Sequence, residues 1–595
     1  MRTAYQFPDA EPVQELTVGR FAGVDFANHP TKVDWSRSPD ACNMIANETY
    51  FPVKRTGYKQ RARFDGKIYG LHRLKDAILC HAGNKLWRLN PDTTTTLLYQ
   101  DMNEATSTSF LMGGKLWLLD GKTYLVYDDE AIQRVQDIAF IPTTTIGSPP
   151  QGGGTSLEAV NMLTPWRINT FVGDGKSTEF HLDSRMIDLG SVQCAEYDIQ
   201  SVNTVTGVVT FQTAPPDAGG LANVVIQFAK TGNHADINKC RICGLYGGQN
   251  DTRVFVSGNP EMPNCDWQSG LYDPSYFPDT GYTKIGSDAS AIMGYARQYD
   301  TQIVLKEDGQ DAKQYLRTFQ LDDNEKPTYP LRQGAEAAGA VNPYTIDVLD
   351  GTPYYLSPQG IMGIYGTYVT EYRTIAGVSQ RINPKLLREQ LEHAAACVWD
   401  EKYYLAVGGH CYVADSRQME NNIPEWYYWD NIPAVCFLAD TDTNGYLWFG
   451  TEDGRVCTFS HTDDVDAYSD DGRAISARWV TPLSALDAWD RSKTILSCQP
   501  ALMPYGYSGA DIWYRTERMQ EKVQTVAFSQ FSFAHMDFSR FSFRSTAASY
   551  PADVRRRIRR AYQFQLIVRN DNEGEPFGLL GLTIRYIVRK GVRQI

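Results

Sequence analysis

The stretch GGKLWLLDGKTYLVYD, residues 113 to 128, alternates turn residues with short apolar runs. Two short runs of apolar and aromatic residues, KLWLL and TYLVY, each follow a turn of Gly, Asp or Lys. Runs of four to eight such residues between turn residues are typical of antiparallel strands joined as hairpins. The stretch therefore predicts two strands of a small antiparallel sheet.

Similar hairpins recur from one end of the chain to the other. In each, a turn leads into a strand with an aromatic pair or an aromatic–aliphatic pair. Further copies are AGNKLWRLN (82–90), GTPYYLSPQGIMGIYG (351–366), DEKYYLAVGGHCYVAD (400–415) and TNGYLWFGTEDGRVCTF (443–459). Such recurrence without a fixed period favours a β-propeller, whose blades are small antiparallel sheets around an axis. An irregular multi-sheet β protein is the alternative.

One segment departs from this pattern. After the loop GSPPQGGGTS (147–156), the runs INTFV, STEFHL, VTGVVTF and NVVIQFA predict a compact β-sandwich over residues 166–230. A Gly- and Pro-rich connection is a place where a domain can be inserted into a host fold. The expected fold is mostly β: a β-propeller with an inserted β-sandwich domain and a C-terminal β platform region. We divide the chain into 1–165 (N-terminal segment and first blades), 166–230 (inserted sandwich), 231–480 (remaining blades) and 481–595 (platform).

Two helices are predicted in this β chain. Asn383-Pro384 opens KLLREQLEHAAA, in which Leu386, Leu387 and Leu391 share one helical face. A second short helix is predicted to begin near Pro551.

Composition limits the class of protein. The chain has 595 residues, of which 42% are hydrophobic and 21% charged, so it can bury a large core. With 57 Lys and Arg against 70 Asp and Glu, the net charge of −13 opposes tight non-specific binding to a phosphate backbone. Eleven cysteines in no pairing framework indicate reduced, buried thiols. No apolar run is long enough to span a membrane, and MRTAYQFPDAEP lacks the apolar run of a signal peptide, so we expect folding in the cytoplasm.

Two motifs resemble ligand-binding loops. GDGKST (173–178) lacks the first glycine of a phosphate loop, where Thr170 stands, and its Asp-Gly favours a hairpin turn. Asp440, Asp442, Asn444 and Gly445 match the opening of a calcium loop, but the closing position holds Thr451 and the flanking runs look like strands. A hairpin is again favoured over a metal site.

Cys240 and Cys243 form a CxxC that could hold zinc together with His234 and Cys265. Residues three apart on a strand point to opposite faces, so buried core cysteines are favoured. We expect neither a metal nor a cofactor.

No catalytic motif is intact. HExxH is absent, and GYSGA (506–510) has Ala510 where a hydrolase elbow needs glycine. The acids Asp463, Asp464 and Asp466 are typical of a solvated loop, although paired carboxylates could also make a glycan hydrolase. We expect a protein that is not an enzyme.

The sharpest charge feature lies in the second predicted helix, where Val554 and Ile558 would attach it to the body. Its five arginines are Arg555, Arg556, Arg557, Arg559 and Arg560. Such a cluster needs solvent, acids or phosphates around it. A solvated helix face, an interface with an acidic neighbouring protein and a DNA-facing ring are all open, and we favour the partner interface over DNA.

Four blocks resemble the phage tail nozzle proteins, also called packaged-DNA stabilisation proteins. SRSPDACNMIANETYFPVKRTGYKQ (36–60) is similar to their opening, in which a Ser-Pro-x-Ala-x-Asn stretch precedes a basic Arg-x-Gly turn, although Thr56 stands where the family has Pro. The matching positions are Ser38, Pro39, Ala41, Asn43, Lys54, Arg55 and Gly57. The other blocks are RVFVSGNPEMPN (253–264), WYYWDNIPAVCFLADTDTNGYLWFGTEDGRV (426–456) and YQFQLIVRNDNEGEPFGLLGLTIRYIVRKGVR (562–593).

The resemblance implies a structural virion protein located in the tail and assembled in the cytoplasm of the host bacterium. Six copies would form a ring that closes the tail channel, retains packaged DNA and opens for ejection. The implied partners are further copies of this chain, the head-to-tail adaptor, tail fibre or tail tip proteins, and the double-stranded DNA in the channel, without membrane insertion. A glycan-binding receptor propeller and a neck or tail component of a long-tailed phage are the alternatives.

Overall fold

The computed structural model describes residues 11–90, 92, 94–232, 236–309, 311, 313–366, 373–441, 445–529, 550–552, 554 and 557–589. Nearly all regular structure in these residues is antiparallel strand. The helices are one α-helical turn, Asn383–Leu386, and the 3-10 turns Val135–Asp137, Pro343–Thr345 and Leu391–His393. None of the described helices has the length and apolarity that crossing a membrane requires.

The described residues contain seven blade-like sheets: six have four strands paired in chain order, and the seventh has three such strands within a six-stranded sheet that the N-terminal segment helps to complete. We number these sheets as blades in chain order. Blade 1 consists of Ile68–Leu74, Ala77–Ala82, Lys85–Leu89 and Thr95–Gln100. Blade 2 consists of Thr108–Met112, Lys115–Leu119, Tyr124–Tyr127 and Ile132–Arg134. Blade 3 consists of Ile242–Tyr246, Arg253–Ser257, Cys265–Gln268 and Tyr282–Lys284. Blade 4 consists of Ile292–Gln298, Thr301–Lys306, Lys313–Arg317 and Leu331–Glu336, with the small hairpin Gln320–Leu321 and Pro327–Thr328.

Three further blades follow. Blade 5 consists of Asp347–Leu349, Thr352–Ser357, Gly360–Tyr365 and Thr374–Gly377. Blade 6 consists of Ala395–Trp399, Lys402–Val407, His410–Glu420 and Ile423–Trp429. Blade 7 consists of Ala434–Ala439, Leu447–Thr451 and Arg455–Phe459, and the N-terminal strand Tyr58–Arg63 completes it. The short strands Ser469–Asp470 and Arg473–Ala474 extend this sheet beyond Tyr58–Arg63.

The blades fall into two compact units. Blades 1 to 4 belong to a middle unit, Asp65–Pro343 with Gly366–Arg373, and blades 5 to 7 belong to a terminal unit formed by the rest of the chain. Within each unit the first strands of successive blades contact one another. Successive four-stranded meanders that meet through their first strands are the arrangement of a propeller, so the fold is of the β-propeller type.

Aromatic pairs mark the blades because a blade is covered on both faces. All six residues of Lys402–Val407 are buried, and Tyr403 and Tyr404 point to opposite sides. The Tyr403 ring packs against Tyr354 of blade 5 at 5.7 Å between centroids, whereas the Tyr404 ring packs against Phe459 of blade 7 at 6.5 Å. A strand buried on both faces needs consecutive apolar residues instead of alternation.

The inserted sandwich is present in the middle unit, but it begins earlier than residue 166. One sheet consists of Thr143–Ser148, Thr155–Ser156, Trp166–Phe171 and Val224–Ala229, and the other of Glu179–His181, Ile199–Asn203 and Val208–Phe211. Apolar side chains of both sheets, among them Phe171, Phe180 and Phe211, share one core. The loop 147–156, expected to precede the domain, connects two paired strands of its first sheet, Thr143–Ser148 and Thr155–Ser156.

A second sandwich closes the terminal unit at the expected platform region. One sheet consists of Val13–Val18, Leu579–Val588, Lys493–Leu502, Tyr550–Pro551 and Ile558–Ala561. The other consists of Ala477–Val480, Phe564–Asn570, Tyr507–Thr516 and Gln520–Ser529. The platform therefore includes an N-terminal strand and begins at Ala477, before the expected boundary at 481.

Both helix predictions are wrong in extent or in kind. The first predicted helix is present only as the turn Asn383–Leu386. Its expected C-terminal end, from Ala395, belongs instead to the first strand of blade 6, Ala395–Trp399. Near Pro551 the backbone is extended: Val554 exchanges hydrogen bonds with Cys498, and Ile558–Ala561 is a strand paired with Lys493–Leu502. Pairing across a sheet has overridden local helix propensity at both places.

A buried ion pair joins the elements of the terminal unit. Arg55, 1% exposed, donates to both carboxylate oxygens of Asp470 at 2.7 Å and to the side-chain oxygen of Asn43 at 2.9 Å. It also donates to the carbonyl oxygen of Asp430, which follows blade 6. The Asn43 amide donates to the carbonyl oxygen of Ser476, directly before the C-terminal sandwich. One guanidinium group thus ties the N-terminal segment to blades 6 and 7 and, through Asn43, to the sandwich.

A polar cluster is buried where blades 1 and 2 meet. The ring nitrogens of His72 lie 2.8 Å from the hydroxyls of Ser107 and Ser109, and Nδ1 of His81 lies 3.0 Å from the Ser107 hydroxyl. A Cβ on Gly70 would lie 2.4 Å from that hydroxyl, so only glycine fits there. Burial lowers the pKa of His72 to about 3 and that of His81 to about 4. Both imidazoles are therefore neutral in the folded protein near pH 7.

The two histidines should make the protein less stable in acid. Their folded pKa values lie below the ordinary 6.5, so the unfolded chain binds more protons between about pH 6.5 and pH 3, and stability is lost as the pH falls through that window. From pH 7 to pH 5 each should cost up to about 2 kcal/mol. Denaturant unfolding of the wild type and of His72→Gln/His81→Gln measures this. An equally steep decline in the double variant would contradict it.

Loss of Asp470 should destabilise the protein strongly. Asp470→Ala leaves the Arg55 charge buried without its carboxylate, which typically costs about 3–5 kcal/mol. Asp453→Ala is the matched control in blade 7, because Asp453 is 51% exposed and exposed pairs contribute about 1 kcal/mol or less. The difference in unfolding free energy between the variants is the measurement. Equal losses would show that the buried pair carries no special weight.

Candidate partner-binding surface

The C-terminal arginine run lies on an edge strand instead of a helix. Arg555 and Arg556 lie outside the described residues, whereas Arg557, Arg559 and Arg560 are described and exposed. Ile558–Ala561 pairs with Lys493–Leu502, and Ile558 is partly buried. Ile558 thus anchors the segment, as expected, but through strand pairing.

A β-bulge concentrates the arginines. Lys493 pairs with Ala561 and Ile495 pairs with Ile558, so Arg559 and Arg560 together oppose the single residue Thr494. Arg560 has a φ of +58°, a left-handed conformation that occurs at bulges. The extra residue leaves two exposed arginines opposite one residue of the neighbouring strand.

A further arginine, Arg589, directly follows Leu579–Val588, the strand that pairs with the other side of Lys493–Leu502. Nε of Arg589 donates to the Thr494 hydroxyl at 3.1 Å, so Thr494 has arginines on both sides. We call Arg557, Arg559, Arg560 and Arg589 the arginine edge. Two acids lie nearby and are engaged: Glu11 is 3.6 Å from Arg589, and Glu517 accepts from the backbone N–H groups of Tyr562 and Gln563.

The arginine edge can bind carboxylates or phosphates through charge-assisted hydrogen bonds, which weaken as salt rises. Exposed guanidinium groups supply no proton transfer at neutral pH because arginine stays charged. The chemistry available to this surface is therefore charge-assisted hydrogen bonding to anionic groups. The sequence could not show that these arginines lie at a bulge, because the register of Ile558–Ala561 depends on pairing with a strand more than 60 residues away.

The family-like basic turn has a structural role in this protein. Lys54, 1% exposed, donates to the side-chain oxygen of Asn570 at 2.8 Å and to the carbonyl oxygen of Asn572 at 2.9 Å, and burial lowers its pKa to about 8. A Cβ on Gly57 would lie 1.8 Å from the carbonyl oxygen of Ser469. Together with Arg55, these residues hold the fold together and leave no group for a ligand.

The motifs that resembled ligand loops have structural surroundings. The strands on either side of GDGKST belong to different sheets, so the predicted hairpin is wrong; Asp174 instead accepts from the backbone N–H groups of Lys176 and Ser177. Asp440 and Gly445 lie in the connection between two antiparallel strands of blade 7, Ala434–Ala439 and Leu447–Thr451, which form the predicted hairpin. Asp442 and Asn444 lie outside the described residues.

The cysteines are free thiols, nine of them buried. Burial raises the pKa of Cys240 well above its usual range and that of Cys243 to about 11, so both stay protonated at neutral pH. His234 lies outside the described residues. In the part of the chain that the structure describes, no three His, Cys, Asp or Glu side chains converge as a metal site requires.

Neither protein-family models nor curated proteins match the chain. Solved structures show weak likenesses. A computationally designed protein, Ika8, has a TM-score of 0.31 at 11% identity, covering 67% of this chain and 99% of that one. The Pan2 WD40 domain of Neurospora crassa has a TM-score of 0.30 at 7% identity, with coverages of 69% and 97%. PorZ of Porphyromonas gingivalis has a TM-score of 0.26 at 13% identity, covering 82% of this chain and 69% of that one. At such TM-scores these likenesses carry no weight in assigning a function.

Proposed function

We propose that this chain is a structural virion protein, the subunit of a ring-shaped tail nozzle that retains packaged DNA and opens for ejection. The observation that carries the proposal is the position of the family-like residues. Asn43, Lys54, Arg55 and Gly57 lie in the buried junction of the terminal unit, and buried Ser38 accepts from the backbone N–H of Val480 in the C-terminal sandwich. The late blocks supply strands of blade 7 and the closing strands. The resemblance thus rests on residues that specify an architecture.

The proposed mechanism is mechanical. Several copies would surround the channel, because one chain of this size cannot encircle a duplex and still bury its own core. A net charge of −13 suits a lumen from which DNA must leave, since each neutralised phosphate would hold the strand. The energy of ejection would come from the packaged DNA, so no catalytic group is needed.

The arginine edge is the proposed docking surface for the head-to-tail adaptor or another acidic ring component. An acidic partner would be steered and oriented by Arg557, Arg559 and Arg560 at the edge strand and by Arg589 on the other side of Thr494, without needing a deep pocket. Because the strand is anchored through Ile558 and the arginines are exposed, their replacement should leave the fold intact.

Assembly with the adaptor ring should depend on this edge. Arg557→Ser/Arg559→Ser/Arg560→Ser should weaken the association at least tenfold at low salt, with a smaller effect at high salt because screening already weakens the wild-type contact. The measurement is native mass and binding affinity of the purified chain mixed with the adaptor from the same particle. Six copies per adaptor ring are expected.

The matched control removes the same charge from the blades and the inserted sandwich. Arg63, Arg134 and Arg185 are exposed, and Arg63→Ser/Arg134→Ser/Arg185→Ser should bind like the wild type. Equal weakening in both variants would assign the effect to net charge instead of the arginine edge. Failure of the wild-type chain to join the adaptor would contradict the nozzle proposal.

A further inference from the structure

A cleft of about 690 Å³ lies in the middle unit, between loops of blades 3 and 4. One wall is the loop 247–252, another the turn at Leu271 and Tyr272, and a third the small hairpin of blade 4, which brings Phe319, Leu321 and Pro327. This volume is in the range of small-ligand sites.

The Arg297 side chain and the close fit at Gly248 hold the walls of the cleft in place. The Arg297 guanidinium donates to the carbonyl oxygens of Gly248 and Gln249 at 2.7 and 2.9 Å and pairs with Asp251 at 2.7 Å. Gly248 has a φ of +88°, and a Cβ there would lie 3.0 Å from the Phe319 side chain, so glycine lets the aromatic ring rest against the loop. The cleft is therefore a formed feature of this face.

Aromatic side chains are exposed here at a cost. Tyr272 is 60% exposed and has a φ of +53°, a conformation that is strained for a bulky residue. Phe319 is 39% exposed and packs edge-on against Tyr329 at 6.0 Å. An exposed aromatic ring gains little packing energy that could offset the backbone strain. Residues with strained backbone conformations are concentrated at functional sites.

The polar lining defines the class of ligand. It consists of amides and hydroxyls: Gln249, Asn250, Thr252, Thr301, Thr318 and Tyr272. Asp300 is the one charged residue among the described residues that line the cleft, and its negative charge disfavours an anionic ligand. A suitable ligand is uncharged, rich in hydroxyls and able to stack an apolar face on aromatic rings.

We propose that this cleft binds a neutral oligosaccharide. The C–H face of a pyranose ring would stack on Tyr272 and Phe319, while its hydroxyls would bond with the amides and the threonine hydroxyls of the lining. This binding site is independent of the nozzle role and of the arginine edge.

Saturation-transfer NMR on the full chain tests the proposal with cellotriose, maltotriose and chitotriose as neutral probes and sialyllactose as the acidic one. At least one neutral trisaccharide should receive saturation at millimolar concentration, and sialyllactose should bind more weakly than that trisaccharide. Tyr272→Ala and Phe319→Ala should each raise the Kd at least tenfold. Because Tyr272 is largely exposed, its variant should keep the wild-type melting temperature.

Tyr282→Ala is the matched control, since Tyr282 is 49% exposed on blade 3 and does not line the cleft. It should bind like the wild type. The proposal is overturned by absence of transfer to all three neutral probes at 10 mM, by equal or tighter binding of sialyllactose, or by unchanged affinity in both cleft variants.

Discussion

Arg55 carries a full charge where water hardly reaches it, and the terminal unit is arranged to satisfy that charge. Its guanidinium needs the carboxylate of Asp470, the Asn43 side chain and the Asp430 carbonyl at once, and these come from three separate parts of the chain. A buried cation that loses a partner is expensive, so the N-terminal segment, blades 6 and 7 and the beginning of the C-terminal sandwich must come together. The connection between these parts of the terminal unit depends on that junction.

The burial of both blade faces limits which surfaces a chain of short strands can present. Blades are covered on both faces, which leaves edges and loops as the exposed features. The arginine edge is a sheet edge of the C-terminal sandwich, and the aromatic cleft lies among loops of blades 3 and 4. Each is fixed by an irregularity, a bulge opposite Thr494 in one case and the left-handed Tyr272 in the other.

The strands of the propeller could be predicted because their signal is local. GGKLWLLDGKTYLVYD became Lys115–Leu119 and Tyr124–Tyr127 of blade 2, paired as predicted. The start of the inserted sandwich could not, because Thr143–Ser148 buries Thr144 and Ser148 and leaves Ile146 36% exposed, the reverse of the usual pattern. The arginine run looked helical from the spacing of Val554 and Ile558, but its conformation depends on pairing with Lys493–Leu502, which no local pattern encodes.

The proposed closure of the DNA exit of a phage tail predicts how particles assembled without this chain retain their DNA. Such particles should package full-length genomes and then lose them, which nuclease digestion and quantification of protected DNA would measure over time. Supplying the purified chain during assembly should restore retention. Particles that lack the chain, keep full-length protected genomes and fail only in adsorption would contradict the nozzle assignment and favour a receptor-binding role.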